Sequence, residues 1–141
     1  MEKIITNSFK ETQQAGAAFA AQMLRQKPSK SAMILALSGD LGAGKTTFLQ
    51  GFAKGLGVEE VINSPTFVVM KRFGNFYHID CYRLENPEEV LQLGFSEIIS
   101  NPKNIVAIEW PEKIKKLMPK NFISIHFKHF KENERQLTID R

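Results

Sequence analysis

Residues 39–52, GDLGAGKTTFLQGF, have the types and the spacing that bind phosphate groups. The first eight match G-x-x-x-x-G-K-[ST], whose glycines let successive backbone N–H groups point at phosphate oxygens. Those groups would lie at the positive end of the helix that follows. Lys45 would add a mobile charge for the β- and γ-phosphates, and Thr46 could place its hydroxyl on Mg²⁺. The predicted nucleotide-binding residues are Asp40, Leu41, Gly42, Ala43, Gly44, Lys45, Thr46 and Thr47.

A loop of this kind also needs an acidic residue at the end of a neighbouring strand to hold the metal. Glu109 follows the apolar run 105–108, which is the Walker B pattern with glutamate in place of aspartate. Asp80 follows the strand-like run 76–79. We take Glu109 as the metal-site residue and Asp80 as a second site residue, and their roles could be exchanged. Either carboxylate could instead cap the segment that follows it.

Three other side chains near these carboxylates are candidates for chemistry. His78 shares a strand face with Asp80, but without further ligands we prefer a packed histidine to a metal site. Cys81 is the single cysteine of the chain, so it cannot form an internal disulfide, and we interpret it as a small apolar residue. Trp110 is interpreted as a core residue.

The elements around the loop must place it between a strand and a helix. Ser8 and Glu11 form a capping box, which predicts a first helix that Pro28 ends. The apolar run 32–37 predicts a buried strand that leads into the loop, and a helical pattern resumes at Lys45. Strand, glycine loop and helix is the order that phosphate binding requires.

The rest of the chain predicts two hairpins, two short helices and one further buried strand. In chain order they are the hairpin 67–79 around Gly74-Asn75, the helix 86–94, the strand 105–108, the helix 111–118 and the hairpin 122–139. The predicted fold class is α/β, a P-loop NTPase-like three-layer sandwich. Its mixed sheet would have parallel core strands and antiparallel hairpins.

The composition bounds the class of protein. The 141 residues, 43% hydrophobic and 24% charged, predict a single domain over residues 1–141. The N-terminus lacks an apolar signal core, and the longest apolar run, 32–37, is too short to span a bilayer. We therefore expect a cytoplasmic protein with no membrane partner.

The net charge of +4 comes from the C-terminal end, because residues 111–141 hold 8 basic and 4 acidic side chains. This excess could dock an acidic partner or a nucleic acid. A solvated, lysine-rich face is the commoner explanation.

Four segments together resemble the bacterial TsaE family across nearly the whole chain. They are GDLGAGKTTF at 39–48, SPTF at 64–67, HIDCYRL at 78–84 and IEWPE at 108–112. The chain departs from the commonest family wording at Phe67-Val68 and Cys81, where tyrosine-threonine and leucine are more usual. These replacements are apolar or isosteric enough to leave a site intact.

TsaE proteins are small ATPases that are needed, with the TsaD and TsaB proteins, to form threonylcarbamoyladenosine in tRNA. The resemblance thus implies ATP and Mg²⁺ as cofactors, with Thr46 and Glu109 around the metal. It implies that Asp80 positions or activates the attacking water, that Thr66 senses the γ-phosphate, and that Thr12 lies near the nucleotide base. Contact with tRNA would be indirect or weak, and no DNA partner is expected.

Two other functions remain open. A small-molecule kinase begins with the same loop, but such kinases usually close an arginine-bearing lid, and the five arginines here are not clustered. A nucleotide-gated binding module would use the loop with hardly any hydrolysis. A GTPase is disfavoured because the chain has no N-K-x-D motif for guanine.

Overall fold

The computed structural model describes residues 1–27, 29–40, 42–62 and 69–141. The chain divides into two compact units. The first contains residues 1–27, 39–64 and 125–140, and the second contains residues 28–38, 65–124 and 141. The phosphate-binding loop thus belongs to the first unit, and both candidate carboxylates belong to the second. The single domain over residues 1–141 stays a prediction.

The described residues contain seven strands, four α-helices and one 3-10 helix. In chain order they are β1 (Glu2–Thr6), α1 (Phe9–Leu24), β2 (Met33–Gly39), α2 (Lys45–Gly55), β3 (Met70–Phe73), β4 (Phe76–Asp80), α3 (Glu88–Gln92), α4 (Phe95–Ser100), β5 (Ile105–Glu109), the 3-10 helix (Pro111–Leu117), β6 (Ile123–His129) and β7 (Arg135–Asp140). None of the described helices is long and apolar enough to cross a membrane.

Helix α1 begins at the predicted capping box. The Ser8 hydroxyl accepts the Glu11 N–H at 3.1 Å, and the Glu11 carboxylate accepts the Asn7 N–H at 3.2 Å. These bonds satisfy N–H groups that have no partner within the helix or before it. The side chains that α1 buries recur at helical spacing, and they are Thr12, Gly16, Phe19, Ala20 and Met23.

Glycines bring the backbones of α1 and α2 together in the first unit. A Cβ added at Gly16 would lie 2.1 Å from the Phe48 carbonyl oxygen, and one added at Gly51 would lie 1.8 Å from the Gln13 carbonyl oxygen. The helices can therefore approach only where no side chain separates them. Four rings fill the adjoining core, with centroids 5.5 to 6.3 Å apart: Phe19, Phe48, Phe52 and Phe127.

The strands of the first unit lie in the order β1-β7-β6. The C-terminal hairpin, β6 and β7, was predicted. Its turn is closed by a hydrogen bond that the Phe130 N–H donates to the Glu134 carbonyl at 3.0 Å. Strand β1 was not predicted. It pairs antiparallel with β7 from Glu2 to Thr6. Thr6 is the only buried residue of β1, so the strand lacks the alternation of apolar and polar residues by which a half-buried strand is predicted.

The strands of the second unit lie in the order β2-β5-β4-β3. Strand β5 pairs in parallel with both β2 and β4, and β3 is antiparallel to β4 across the predicted Gly74-Asn75 turn. Parallel core strands and an antiparallel hairpin confirm the predicted α/β fold class. The part of that hairpin at residues 67–68 lies outside the described residues.

One face of the second unit's strands carries an apolar cluster. Because side chains alternate along a strand, Tyr77 and Ile79 share this face, while His78 and Asp80 take the other. Helices α3 and α4 and the 3-10 helix also bury one side chain each in the cluster, and these are Val90, Phe95 and Ile114.

Two predicted helices of the second unit differ in detail. The segment 86–94 was predicted as one helix ending at Gly94, but α3 ends at Gln92, and Gly94, with φ of 88°, begins the unpredicted α4. Residues 111–117 form a 3-10 helix, with a non-helical φ of −123° at Ile114. Short segments of this kind follow tertiary contacts more than sequence periodicity.

Gly51→Ala should lower the free energy of unfolding by about 3 kcal/mol, because the new methyl collides with the α1 backbone. Gly74→Ala is the matched control. It adds the same methyl at φ of 63° with nothing within 4 Å, so only backbone strain of about 1 kcal/mol is expected. Urea unfolding measures both, and equal losses would contradict the close approach of the two helices.

Candidate functional site

The phosphate-binding loop joins β2 to α2. Gly42 and Gly44 have φ of 78° and 104°, a region that glycine enters without a Cβ clash. The Ala43 N–H donates to the Asp40 carbonyl at 3.1 Å, and the first α2 bond runs from the Phe48 N–H to the Gly44 carbonyl at 2.9 Å. The N–H groups that precede Phe48 have no carbonyl within the helix, which is the arrangement that binds anions.

Lys45 lies across this loop. Its side chain is 5% exposed, and its Nζ donates a hydrogen bond to the Gly39 carbonyl oxygen. A buried ammonium needs such a partner, because burial without one is costly. An ammonium has three donors, so a bond to Gly39 is compatible with another to a phosphate oxygen.

The other loop residues are placed as follows. Thr46 and Thr47 are half-buried in the first turn of α2, and Asp40 is exposed. Leu41, and Thr66 of the SPTF segment, lie outside the described residues. Their predicted roles therefore stay predictions.

Thr12 lies beside the loop and lines an open pocket with Gly44 and Arg135. A Cβ added at Gly44 would lie 3.7 Å from the Thr12 methyl carbon and 3.6 Å from Arg135 Cγ. The Thr12 hydroxyl bonds to the Thr6 hydroxyl at 2.7 Å and to the Ser8 carbonyl at 3.1 Å. Thr12 therefore offers the pocket its methyl group, while its hydroxyl holds β1 to α1.

Thr47, a predicted nucleotide-binding residue, also lines this pocket, and the sequence did not place its remaining lining residues there, which are Ser8, Phe9, Asn133 and Arg135. Arg135 supplies the positive charge of the pocket. The Arg135 guanidinium also donates a hydrogen bond to the Glu134 carbonyl at 3.3 Å. These residues come from α1 and its N-cap, from α2 and from the β6–β7 hairpin, so no local pattern could have assembled them.

The carboxylates of the second unit lie where β4 and β5 end side by side, next to Leu37 of β2. Glu109 pairs in register with Leu37 on one side and with Asp80 on the other. Glu109 is 2% exposed, and its Oε2 lies 2.6 Å from the His78 Nε2. The preference for a packed histidine agrees with the burial of His78, but its contact with Glu109 was not predicted.

Asp80 is half-buried and closes the turn that follows β4. Its Oδ1 accepts the Tyr82 N–H at 3.0 Å. This is the capping role that the sequence left open for a carboxylate at this position. Arg83, in the same turn, is exposed.

Trp110 follows Glu109 in a left-handed conformation, with φ of 58°. Its N–H donates to the Leu37 carbonyl at 3.3 Å, and its ring lies 5.0 Å from the Tyr82 ring. A bulky residue at positive φ is strained, and such strain is concentrated at functional sites. Trp110 is half-buried, so it is only partly the core residue that the sequence predicts.

Cys81 is fully buried beside these carboxylates. Burial raises the pKa of its thiol to about 12, and the negative charges of Asp80, Glu112 and Glu109 contribute to the same shift. The thiol is therefore neutral near pH 7, which agrees with its interpretation as a small apolar residue.

The donor types of the predicted site residues suit magnesium. The hydroxyl of Thr46 and the carboxylates of Asp80 and Glu109 offer oxygen atoms, which Mg²⁺ prefers. Within the described residues, no group of three or more His, Cys, Asp or Glu side chains could hold a metal ion. Mg²⁺ in nucleotide sites needs only one or two protein ligands, because phosphates and waters complete its shell.

The chain is similar to several known proteins. The family model for the threonylcarbamoyl adenosine biosynthesis protein TsaE matches residues 6–137. A Bacillus subtilis protein named tRNA threonylcarbamoyladenosine biosynthesis protein TsaE is 39% identical over 115 residues, covering 79% of this chain and 71% of that protein. The Rickettsia bellii protein of the same name is 39% identical over 140 residues, covering 96% and 92%. The crystal structure of Bacillus subtilis YdiB superposes with a TM-score of 0.76 at 32% identity, covering 98% of this chain and 83% of that one.

Lys45→Ala should weaken ATP binding by about 100-fold, because a charge-assisted hydrogen bond contributes about 1.5–3 kcal/mol. Lys54→Ala is the matched control, since Lys54 is an exposed lysine on the same helix. Calorimetry measures the affinity, and thermal denaturation checks that both variants fold. An unchanged affinity in Lys45→Ala would remove Lys45 from the phosphate site.

Proposed function

The chain belongs to the TsaE family, and we propose that it binds and hydrolyses ATP within the machinery that forms threonylcarbamoyladenosine in tRNA. TsaD and TsaB are the proposed partners, and contact with tRNA is indirect or weak. The proposed location is the cytoplasm. The observation that carries the proposal is the glycine loop, where Lys45 and the open N-terminus of α2 offer donors to phosphate.

The proposed position of the nucleotide base is the pocket beside Gly44. The Thr12 methyl and the aliphatic part of Arg135 border Gly44 there, so a flat base would find apolar walls next to the phosphate loop. The Thr12 hydroxyl is already bonded within the protein. We therefore propose that Thr12 contacts the base by packing and not by reading its polar edge.

We propose that Thr46 and Glu109 hold Mg²⁺, while Asp80 orients the attacking water. Bound Mg²⁺ would neutralise negative charge on the β- and γ-phosphates of ATP. The burial of Glu109 suits a fixed ligand, since a carboxylate held away from solvent keeps its orientation. Asp80 is half-buried, which leaves solvent access for a water molecule.

Glu109→Gln and Asp80→Asn should have different effects. Glu109→Gln should chiefly weaken Mg²⁺-dependent ATP binding, because an amide is a poorer metal ligand than a carboxylate. Asp80→Asn keeps an oxygen for the Tyr82 N–H but is a weaker base, so it should slow the chemical step by about 10²- to 10⁴-fold with binding retained. Calorimetry and single-turnover hydrolysis measure the two effects, and the opposite pattern would exchange the roles.

The isolated protein should hydrolyse ATP slowly, and TsaD with TsaB should accelerate it. Hydrolases with this loop need a positive group on the developing γ-phosphate charge, and a supplied arginine can raise the rate about 10³- to 10⁵-fold. Steady-state phosphate release measures turnover of the protein alone and with both partners. The Lys45→Ala variant in the same mixture subtracts any hydrolysis by the partners.

Turnover of the lone protein at about 1 s⁻¹ or faster, unaffected by the partners, would contradict this prediction. Labelled ATP supplied with a pool of metabolites tests the kinase alternative. If the label is found on a metabolite and not in inorganic phosphate, the protein is a small-molecule kinase and the proposed ATPase activity is wrong.

A further inference from the structure

Two side chains of the second unit form a buried polar pair. His78, on β4, is 0% exposed, and Glu109, at the end of β5, is 2% exposed. The His78 Nε2 lies 2.6 Å from the Glu109 Oε2. Among the described residues, the Glu109 carboxylate has no other hydrogen-bond partner.

We propose that His78 is a positioning residue, which holds the Glu109 carboxylate in the orientation that binds Mg²⁺. This inference rests on the proposed function, in which Glu109 is a ligand of the nucleotide-bound metal. His78 itself touches neither the metal nor ATP. Residues that orient a metal ligand through a hydrogen bond commonly set its affinity for the metal.

The hydrogen bond assigns different tasks to the two carboxylate oxygens. In the metal-binding form proposed here, the Glu109 carboxylate only accepts hydrogen bonds, so the His78 Nε2 is the donor. In this hydrogen bond Oε2 accepts from the imidazole, and the bond fixes the rotation of the Glu109 carboxylate about its Cγ–Cδ bond. Oε1 is then the oxygen that His78 does not use, and it has lone pairs for a metal or a metal-bound water.

The sheet register makes this contact possible. His78 lies in register with Ala107, two residues before Glu109, and Asp80 lies directly opposite Glu109. His78 and Glu109 are therefore diagonal neighbours on one face, a separation that long side chains can bridge. The small Ala107 side chain leaves room for the imidazole to extend toward Glu109. Asp80, although nearer in register, cannot donate to a second carboxylate when both are ionised.

The other ring nitrogen argues that His78 is more than a filler of space. The His78 Nδ1 is buried and has no hydrogen-bond partner among the described residues. A leucine would fill this volume without leaving a buried polar atom unsatisfied. The unsatisfied Nδ1 therefore makes a buried imidazole less favourable at this position than an apolar side chain. The hydrogen bond from Nε2 to Glu109 offsets that cost.

Three variants at one position test this role. His78→Leu removes the donor at similar volume, and His78→Gln keeps an N–H donor at about the reach of Nε2. His78→Asn is also an amide, but its nitrogen ends at about the level of Nδ1. Calorimetry gives the ATP affinity of each variant in saturating Mg²⁺ and in EDTA, and the ratio of the two is the magnesium enhancement.

We expect the magnesium enhancement to fall about 10-fold in His78→Leu and His78→Asn. His78→Gln should recover most of it, and the affinity in EDTA should stay unchanged in all three. In a Glu109→Gln background, His78→Leu should cause no further loss, because the carboxylate that it positions is absent. If His78→Leu does not fold, the two amides still form a matched comparison.

An equal enhancement in all three variants and the wild type would overturn the inference and make His78 a core residue only. ATP binding by the wild type with no magnesium enhancement would overturn it as well. A wild type that binds no ATP in either buffer would overturn the proposed function, and the inference with it.

Discussion

The parallel pairing of β5 with β2 and β4 is the constraint on which the carboxylate site depends. It makes β4 and β5 end at one level, so that Glu109 lies between Leu37 of β2 and Asp80 of β4. It also sorts the residues of β4 between two environments, because successive side chains point to opposite faces. A slip of one residue would turn His78 and Asp80 into the apolar cluster, so packing of that cluster fixes the polar face as well.

In the first unit, glycine meets two different structural requirements. At Gly16 and Gly51 the missing side chain lets the backbones of α1 and α2 touch, and any substituent would collide with a carbonyl group. At Gly42 and Gly44 the requirement is a positive φ, which turns the loop toward the start of α2. Tight helix packing holds α2 in place, and the loop takes its anion-binding geometry from the beginning of that helix.

Local signals in the sequence predicted the parts of this structure that depend on local chemistry. The capping box at Ser8, the Gly74-Asn75 turn and the glycine loop each bring their own hydrogen bonds or dihedral angles, so a short pattern suffices. Strand β1 exists because β7 pairs with it, and the His78–Glu109 bond joins residues 31 positions apart. The pocket beside Gly44 likewise needs side chains from three elements, and sequence spacing contains no information on such contacts.

The carboxylates at the strand ends lie close together, and their negative charges affect the pKa of the Cys81 thiol. Burial is the main reason that its thiol pKa rises to about 12, but Asp80, Glu112 and Glu109 add to the rise because each disfavours a thiolate. The same charges that oppose a nearby anion favour a nearby divalent cation. A buried carboxylate without a cation needs another positive or donating partner, and the imidazole of His78 supplies the donor. The pair with His78 thus gives the buried Glu109 side chain a hydrogen-bond partner, which a core of purely apolar residues would not supply.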